Sequence, residues 1–211
     1  MRIKALQRGK FIVLEGVDGA GTTTQANRLK SALNSRKLES VVTAQPSDGP
    51  IGRLIRSILR GQVTREDGQR VGGQAIAALF AADRSEHIES LIEPLLSKGV
   101  HVICDRYYHS SLAYQGLEVG TAYVSSLNEP MKTPDIVFFV DVDVDVALRR
   151  RDERALEDEL YEVEAFQSRL REGYLAAFEL RDADRMVKID GNRTVDEVHQ
   201  LIMEQVNALL S

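Results

Sequence analysis

Three glycines and three threonines form a compact group near the start of the chain. The glycines stand at positions 16, 19 and 21, and the threonines follow at 22–24. An apolar run at 11–14 precedes the group, and a segment suited to a helix follows it. A loop between a strand and a helix turns its backbone N–H groups inward, and the helix dipole adds positive potential. Phosphate is therefore the expected ligand, and a glycine-rich turn without a ligand is the alternative.

The spacing of this group fits a known phosphate-binding pattern, with one departure. Gly16-x-x-x-x-Gly21 matches G-x-x-x-x-G-K-[ST], and Thr23 stands in the hydroxyl position. The position that should hold lysine is Thr22. Threonine can offer a hydrogen bond but no positive charge, and its side chain is too short to reach the same phosphate oxygens. The sequence predicts a phosphate loop in which the charge of the lysine must come from elsewhere.

An acid and an arginine follow a second apolar run. The segment 99–104 is suited to a buried strand, and Asp105-Arg106 comes directly after it. An acid after one strand and a phosphate loop after another are the layout of a magnesium–nucleotide site. The alternatives are that Asp105 caps a helix and that Arg106 forms a surface ion pair.

Four arginines lie close together in a chain that is acidic overall. They are Arg149, Arg150, Arg151 and Arg154, and the net charge of the chain is −5. A mobile lid could bring such arginines onto phosphoryl oxygens during transfer. A solvated helix face is the alternative for each of them. Arg150 and Arg154, four residues apart, share one face of the predicted helix.

Phe80 and Arg84 are also four residues apart, in a segment with helical periodicity. This spacing allows the ring to stack on a base while the guanidinium contacts a carbonyl on the edge of that base. The alternative for Phe80 is a place in the hydrophobic core.

Alternating strands and helices position these groups. The apolar runs predict strands at 11–14, 39–43, 99–104, 136–140 and 186–189, with helices between them that include a long one over 72–97 bent near Pro94. Thr194 and Glu197 have the spacing of a capping box at the last helix. We therefore expect an α/β fold, a three-layer parallel sheet of about five strands with helices on both faces. In such sheets ligands bind beyond the carboxyl ends of the strands.

Composition sets further bounds. The chain has 211 residues, enough for one domain with a substantial core. Its negative charge gives no general attraction to nucleic acid or to anionic membranes. No apolar run approaches the length of a membrane span, and the N-terminus lacks the apolar core of a signal peptide. Cys104 is the single cysteine, so we expect neither disulfides nor a cysteine metal site, and we expect the protein in the cytoplasm.

Taken in order, these motifs resemble those of the bacterial thymidylate kinases. The resemblance runs from about residue 9 to residue 205 and rests on the phosphate loop, Phe80 with Arg84, Asp105-Arg-Tyr107, Ser110-Ser-Leu-Ala-Tyr-Gln-Gly116, the arginine group and Ile189-Asp-Gly-Asn-Arg193. Its most specific part is Asp105-Arg-Tyr-x-x-Ser-Ser-x-Ala-Tyr-Gln-Gly116, which few other phosphate-loop proteins would show.

The resemblance implies a fold, a reaction and partners. The fold is that of a P-loop nucleoside-monophosphate kinase, a single domain over 1–211 with a lid at about 149–160. The reaction is phosphoryl transfer from ATP, with Mg²⁺, to dTMP, giving dTDP and ADP. The loop here contains no arginine and the lid is rich in them, as in the lid-arginine class of the family. A homodimer is implied as well, with no nucleic acid and no membrane as partners.

The resemblance also assigns roles to residues. Catalysis would fall to Asp18, Arg106, Arg150 and Arg154, and Thr23 with Asp105 would hold the metal. ATP would be bound by Gly16, Val17, Asp18, Gly19, Ala20, Gly21, Thr22, Thr23, Asn192 and Arg193. The dTMP would be bound by Asp18, Arg56, Phe80, Arg84, Arg106, Tyr107, Ser111, Tyr114 and Gln115. Within this set, Phe80 would stack on thymine, Arg84 would reach its O4 and Tyr114 would reject a ribose.

Two departures from the family pattern fall in the expected active site. One is Thr22, and the other is Thr43-Ala-Gln-Pro46, where the family often shows Thr-Arg-Glu-Pro. Pro46 keeps the possibility of a cis bond before it. Two other hypotheses therefore stay open: a kinase of another (deoxy)nucleotide or nucleoside, and a nucleotide-binding paralogue that is catalytically weak or inactive. A substrate panel tests the first, and turnover of ATP with dTMP tests the second.

Overall fold

Five parallel strands form one sheet in the order β2-β3-β1-β4-β5. The structure is a computed structural model, and it describes residues 8–151, 157–181 and 184–211. The strands are β1 Phe11–Glu15, β2 Ser40–Ala44, β3 His101–Asp105, β4 Ile136–Asp141 and β5 Met186–Asp190. Each lies within about one residue of the strand predicted from its apolar run, except that β3 starts two residues later.

The three central strands are buried along their whole length. Every residue of β1, β3 and β4 is buried, whereas the edge strands β2 and β5 are partly exposed. A parallel strand covered on both faces has no solvent side, so its sequence is nearly continuous in apolar residues. This explains why the strands could be located from the sequence.

Helices pack around the sheet in two groups. One group contains α1 (Thr22–Ser35) packed against α9 (Val195–Leu210). The other contains α5 (Tyr108–Val119), which packs against α3 (Gly73–His87), α6 (Thr121–Asn128) and α8 (Glu157–Leu180). Two shorter helices, α2 (Pro50–Leu59) and α7 (Val144–Arg151), complete these connections. The predicted α/β architecture is confirmed. Within the described ranges, no helix combines the length and apolarity needed to cross a membrane.

The long helix predicted over 72–97 is confirmed in extent but is not regular. After α3, a π-helical segment at Ile88–Ile92 leads into α4 (Glu93–Ser97). Pro94 has no N–H to donate to a carbonyl in the preceding turn, and its ring crowds that turn. The wider turn of the π-helical segment lies just before Pro94. This is where the helix must adjust to the proline ring and to the missing N–H.

The capping box of α9 is present and yields a stability prediction. The Thr194 hydroxyl accepts a hydrogen bond from the Glu197 N–H at 3.3 Å, and the Glu197 carboxylate accepts one from the Thr194 N–H at 3.0 Å. Thr194→Ala should therefore lower the free energy of unfolding by about 1 kcal/mol, measured by urea denaturation. Thr194→Ser is the matched control and should unfold like the wild type. Equal losses in both variants would contradict the capping role.

Candidate active site

The central strands end in step at one edge of the sheet. Leu14 of β1 pairs with Asp105 of β3 on one side and with Phe138 of β4 on the other. The Arg106 N–H then donates to the Leu14 carbonyl at 2.9 Å. The loop after β1 and the residues after β3 therefore lie side by side, as the edge rule for parallel sheets requires.

The loop after β1 depends on glycine at two positions. Gly19 has φ +92° and Gly21 has φ +89°, both in the left-handed region that glycine adopts without strain. A Cβ at Gly19 would lie 2.3 Å from the Ala147 carbonyl oxygen of α7. The loop backbone thus packs directly against the backbone of α7, and only glycine permits this approach.

This loop borders a cavity of about 470 Å³, here called the loop cavity. Its wall is formed by residues 17–25, joined by Arg106, Arg150, Gly191, Arg193, Val195 and Val198. The cavity therefore collects most of the residues predicted to bind ATP. Gly16 lies under the loop, where a Cβ would meet Ala20 at 2.8 Å. Asn192 is turned toward α7, because its side-chain oxygen accepts a hydrogen bond from the Asp143 N–H at 2.9 Å.

The structure describes the side chains of two of the four neighbouring arginines, Arg149 and Arg150, and one of these two reaches the loop cavity. Arg150 lines it and donates from Nη1 to the Gly191 carbonyl at 3.0 Å. Arg149 instead pairs with Asp145 at 2.8 Å on an exposed surface, which is the solvated helix face that was the alternative for this group. Thr22 lines the same cavity and is 7% exposed. Arg154 lies outside the described residues.

Thr23, in the first turn of α1, and Asp105, at the end of β3, contact each other next to the loop. The Thr23 hydroxyl donates to Asp105 Oδ2, and in the described part of the chain the buried Oδ1 has no hydrogen-bond partner. A carboxylate oxygen left without a partner next to a hydroxyl fits Mg²⁺, which prefers hard oxygen ligands and keeps water and phosphate as its other ligands. Across the described ranges, no cluster of three or more His, Cys, Asp or Glu could enclose a metal by itself.

A second cavity, of about 310 Å³, opens beside the first and is here called the aromatic cavity. Its wall is mostly apolar and includes the predicted residues Asp18, Phe80, Arg84, Arg106, Tyr107, Ser111, Tyr114 and Gln115. Phe80 is half-buried at this wall, so it is not a residue of the hydrophobic core. Four further residues complete the wall. Gln45 and Pro46 belong to the segment that the sequence placed in the active site, whereas Leu59 and Ser110 were not assigned a role there.

Arg84 forms the buried end of the aromatic cavity and is only 1% exposed. Its Nε donates to Gln45 Oε1 at 2.8 Å, Nη2 donates to Ser111 Oγ at 3.0 Å, and Nη1 donates to Asn128 Oδ1. Its guanidinium carbon lies 5.3 Å from the centre of the Tyr107 ring. Burial lowers the pKa of Arg84, although arginine stays charged at any working pH.

Arg106 and Asp18 stand where the two cavities meet, since both residues line both of them. Arg106 Nη2 donates to Asp18 Oδ1 at 2.7 Å, and Nη1 donates to the Tyr174 hydroxyl at 2.9 Å. Arg106 has φ +70°, a left-handed conformation that is uncommon outside glycine and often marks functional sites. The alternative of a surface ion pair does not describe it, because its side chain is only 22% exposed.

A buried carboxylate that the sequence did not reveal supports Arg106. Glu15, at the end of β1, is fully buried and accepts hydrogen bonds from the Tyr107 N–H at 2.7 Å and the Ser110 hydroxyl at 2.6 Å. Ser110 in turn contacts the Tyr174 hydroxyl, at 2.7 Å, to which Arg106 donates. The sequence did contain a signal for this network, since Glu15 is an acid at the end of an otherwise apolar strand. A carboxylate in such a buried place seldom lacks hydrogen-bond donors around it.

Arg56 lies beside the aromatic cavity but does not point into it. Its Nη1 donates to the Pro46 carbonyl at 2.7 Å, and its Nη2 pairs with Asp48 at 3.2 Å. The Gln45–Pro46 peptide bond is cis, as the sequence allowed. Burial raises the pKa of Tyr114 to about 12, so its hydroxyl stays protonated at neutral pH.

Comparison with known proteins agrees with this geometry. A family model described as thymidylate kinase matches residues 14–202. A relative named probable thymidylate kinase, from Thermococcus kodakarensis, is 40% identical over 205 residues, which cover 95% of this chain and 98% of its own. A relative with the same name from Methanococcus maripaludis is 37% identical over 205 residues, which cover 95% of each chain.

A relative from Treponema pallidum that also carries the name thymidylate kinase is 38% identical over 202 residues, covering 93% of this chain and 94% of its own. The relatives therefore include archaeal proteins, and the narrower resemblance to the bacterial enzymes is not confirmed. The family model and the relatives span almost the whole chain, including both cavities. The chain belongs to the thymidylate kinase family.

Proposed function

We propose that the protein transfers the γ-phosphoryl group of ATP to dTMP, giving dTDP and ADP. The observation that carries this proposal is the pair of cavities that meet at Asp18 and Arg106. One has a phosphate loop as its wall, and the other has an aromatic wall with a buried arginine. Two substrates held this way have their phosphates adjacent, and positioning of this kind is most of what phosphoryl transfer requires.

The loop cavity holds the donor. Backbone N–H groups between residues 16 and 23 contact the phosphates of ATP, and the segment at Asn192 and Arg193 flanks the adenine. Thr23 and Asp105 would hold Mg²⁺, which would supply charge neutralisation at the phosphates. Arg150 contributes the positive charge that Thr22 does not.

The aromatic cavity holds the acceptor. Phe80 stacks on thymine, Arg84 donates to its O4, and Ser111 faces its N3 edge, while Tyr107 and Gln115 close the wall. Tyr114 lies against the 2′ carbon of the sugar. Arg106 takes the acceptor phosphate. Arg56 reaches the same phosphate by exchanging its contacts with the Pro46 carbonyl and Asp48, and Asp18 lies near the sugar hydroxyl and that phosphate. An oxygen of this phosphate attacks the γ-phosphorus of ATP, and the bond from that phosphorus to the β-phosphate oxygen breaks.

The protein belongs, in this proposal, to the lid-arginine class. Support comes from the absence of arginine in the sequence of the loop and from the position of Arg150 at the loop cavity. Its lid covers about 149–160 of a single domain over 1–211, and Arg154 is its second candidate catalytic residue. We also propose that the protein is similar to the bacterial members of this class in particular.

Steady-state turnover of ATP with dTMP tests the function. We expect ADP and dTDP in equal amounts, with dTMP preferred in a panel that includes dUMP, dCMP, dAMP and dGMP. Preference for another nucleotide would favour the hypothesis of a kinase of another (deoxy)nucleotide or nucleoside. Binding of ATP without turnover would favour the nucleotide-binding paralogue, whose specific support is Thr22 in the lysine position.

Assembly and location are part of the proposal. A homodimer is the habit of the family, and the partly exposed Leu54 of α2, 41% exposed, gives one apolar position for such contact. Light scattering should then give twice the chain mass of 23.5 kDa. We place the protein in the cytoplasm, where a kinase of free nucleotides finds its substrates.

The Arg84 side chain provides a direct test of base recognition. Arg84→Ala removes a charge-assisted hydrogen bond to the base, worth about 1.5–3 kcal/mol, so the KM for dTMP should rise more than about tenfold. The KM for ATP should change little, because Arg84 does not line the loop cavity.

The burial of Arg84 calls for a second variant. Arg84→Lys keeps a positive charge in the buried site but loses the planar, paired N–H donors of the guanidinium. It therefore separates recognition of the base from the effect of Arg84 on packing. We expect it to bind ATP normally and dTMP poorly. Unchanged dTMP kinetics in both variants would exclude a role for Arg84 in reading the base.

A further inference from the structure

Within the described part of the chain, the guanidinium of Arg84 makes its hydrogen bonds to neutral partners only. Gln45 and Ser111 accept its hydrogen bonds at 2.8 and 3.0 Å, and Asn128 accepts a third. Among the described residues, no carboxylate oxygen lies within 4.0 Å of its nitrogens. A buried cation whose direct partners are all neutral depends on how each of those groups is oriented, because the carboxylates of Glu15 and Asp83 act on it only from beyond hydrogen-bond distance.

The Gln45 side chain has only one orientation that satisfies both of its neighbours. Arginine can only donate, so the Gln45 oxygen must face Arg84 Nε, and the amide nitrogen then faces His87 Nδ1 at 3.3 Å. The nitrogen donates, so His87 Nδ1 must accept and carry no proton. The proton of a neutral His87 therefore sits on Nε2, 2.8 Å from the Thr43 hydroxyl.

His87 lies in surroundings that favour this neutral form. The ring is 3% exposed, and burial lowers its pKa. Some of the charged groups around the ring raise the pKa of His87 and others lower it, so their effects partly cancel. On α3 they are Asp83, Glu86 and Arg84, and from the loop after β2 there is Asp48. Asp83 is itself occupied, because it accepts hydrogen bonds from the N–H of Ser47 at 2.7 Å and its hydroxyl at 2.6 Å.

We propose that Gln45 and His87 are positioning residues for Arg84, and that neutral His87 fixes the Gln45 amide in the orientation that holds the guanidinium against the acceptor base. This inference rests on the proposed role of Arg84 in reading that base. It adds a chain of hydrogen bonds, here called the relay, that runs from Thr43 on β2 through His87 and Gln45 to Arg84 in the aromatic cavity. The family pattern would place glutamate at position 45, whereas glutamine makes the arrangement depend on which nitrogen of His87 carries the proton.

Protonation of His87 should break the relay. His87 Nδ1–H and the Gln45 amide nitrogen would then be two donors facing each other. If the amide turned over to satisfy His87, its nitrogen would face Arg84 Nε, which is again a donor. In either orientation one contact is lost, and Arg84 is no longer held in a single position.

The test is the pH dependence of the KM for dTMP, measured at saturating ATP between about pH 5.5 and 8. Because burial lowers the His87 pKa, only part of His87 is protonated at the acid end, so in the wild type we expect this KM to rise there by about twofold more than in His87→Asn. Asparagine offers an acceptor near the place of Nδ1 but does not titrate. The phosphate of dTMP itself titrates near pH ~6, and this effect is common to both proteins and is removed by the comparison.

Gln45→Glu is the second variant. Both oxygens of a carboxylate accept, so glutamate can bind Arg84 and a protonated His87 at once, and the acid rise should be lost as in His87→Asn. The same acid rise in all three proteins would overturn the proposal while leaving the kinase function intact. Failure of the wild type to turn over dTMP at about pH 8 would instead refute the proposed function.

A spectroscopic measurement tests the relay without any substrate. Nitrogen-15 NMR of the imidazoles should show His87 neutral at pH ~8 with its proton on Nε2. The Gln45→Glu substitution should raise the pKa of His87, because it places a carboxylate next to the ring. A proton on Nδ1, or a cationic His87 at that pH, would overturn the orientation of Gln45 and with it the proposal.

Discussion

Replacing Arg150 with alanine should lower kcat by about 10³-fold and raise the KM for ATP far less, by analogy with arginine fingers. Arg150 lines the loop cavity, and in the structure its guanidinium donates to a neutral carbonyl, that of Gly191, at 3.0 Å. A cation whose hydrogen bond within the described residues goes to a neutral acceptor can exchange that bond for phosphoryl oxygens as negative charge develops on them. Steady-state kinetics with ATP and dTMP provides the measurement.

The neighbouring arginine supplies the matched control. Arg149 lies on the same helix, but its guanidinium is paired with Asp145 in solvent at 2.8 Å. Arg149→Ala should keep kcat within about twofold, since exposed pairs contribute little. If Arg150→Ala also kept most of its kcat, Arg150 would be a structural residue of the cavity wall, and Arg154 would become the candidate.

Thr22→Lys should restore much of the activity lost in Arg150→Ala, by about 10²-fold in kcat. Thr22 is the first residue of α1 and lines the loop cavity, so a lysine there would reach toward the same phosphates as Arg150. In the wild type, where Arg150 is already present, we expect Thr22→Lys to change kcat little. The four proteins of this double-mutant cycle measure how far the two charges replace each other.

Two outcomes would contradict this account of Thr22. Equal effects of lysine with and without Arg150 would mean that the two side chains act independently. Absence of turnover in both the wild type and Thr22→Lys, with both still binding ATP, would mean that the site fails elsewhere. Ala44-Gln45 would then be the first place to examine, and a non-catalytic paralogue would be the better description.

The sheet could be predicted because its sequence signal is local. Buried parallel strands are continuous runs of apolar residues, and the rule for their carboxyl ends places Gly16 to Thr23 beside Asp105 and Arg106 without further information. The structure brings these segments together. The chemical roles of the residues stay predictions, since geometry alone does not establish them.

The partners of Arg84 could not be predicted, because they come from distant parts of the chain. Gln45 is 39 residues away and Asn128 is 44 residues away. Helical spacing relates Arg84 to Phe80 but gives no information on loops that fold over it. The same holds for Glu15, whose contacts with Tyr107 and Ser110 span more than 90 residues. Hydrogen-bond networks of this kind depend on the complete fold.

The contact between Gly19 and α7 limits how far Arg150 can move from the phosphate loop. The Ala147 carbonyl rests on the loop backbone at a distance that leaves no room for a side chain, so the start of α7 is anchored to the phosphate loop. Arg150 lies three residues beyond this anchor, roughly 4.5 Å along the helix axis. Arg150 therefore stays close to the phosphate loop as long as this contact holds. It reaches phosphoryl oxygens by rotation of its own side-chain bonds.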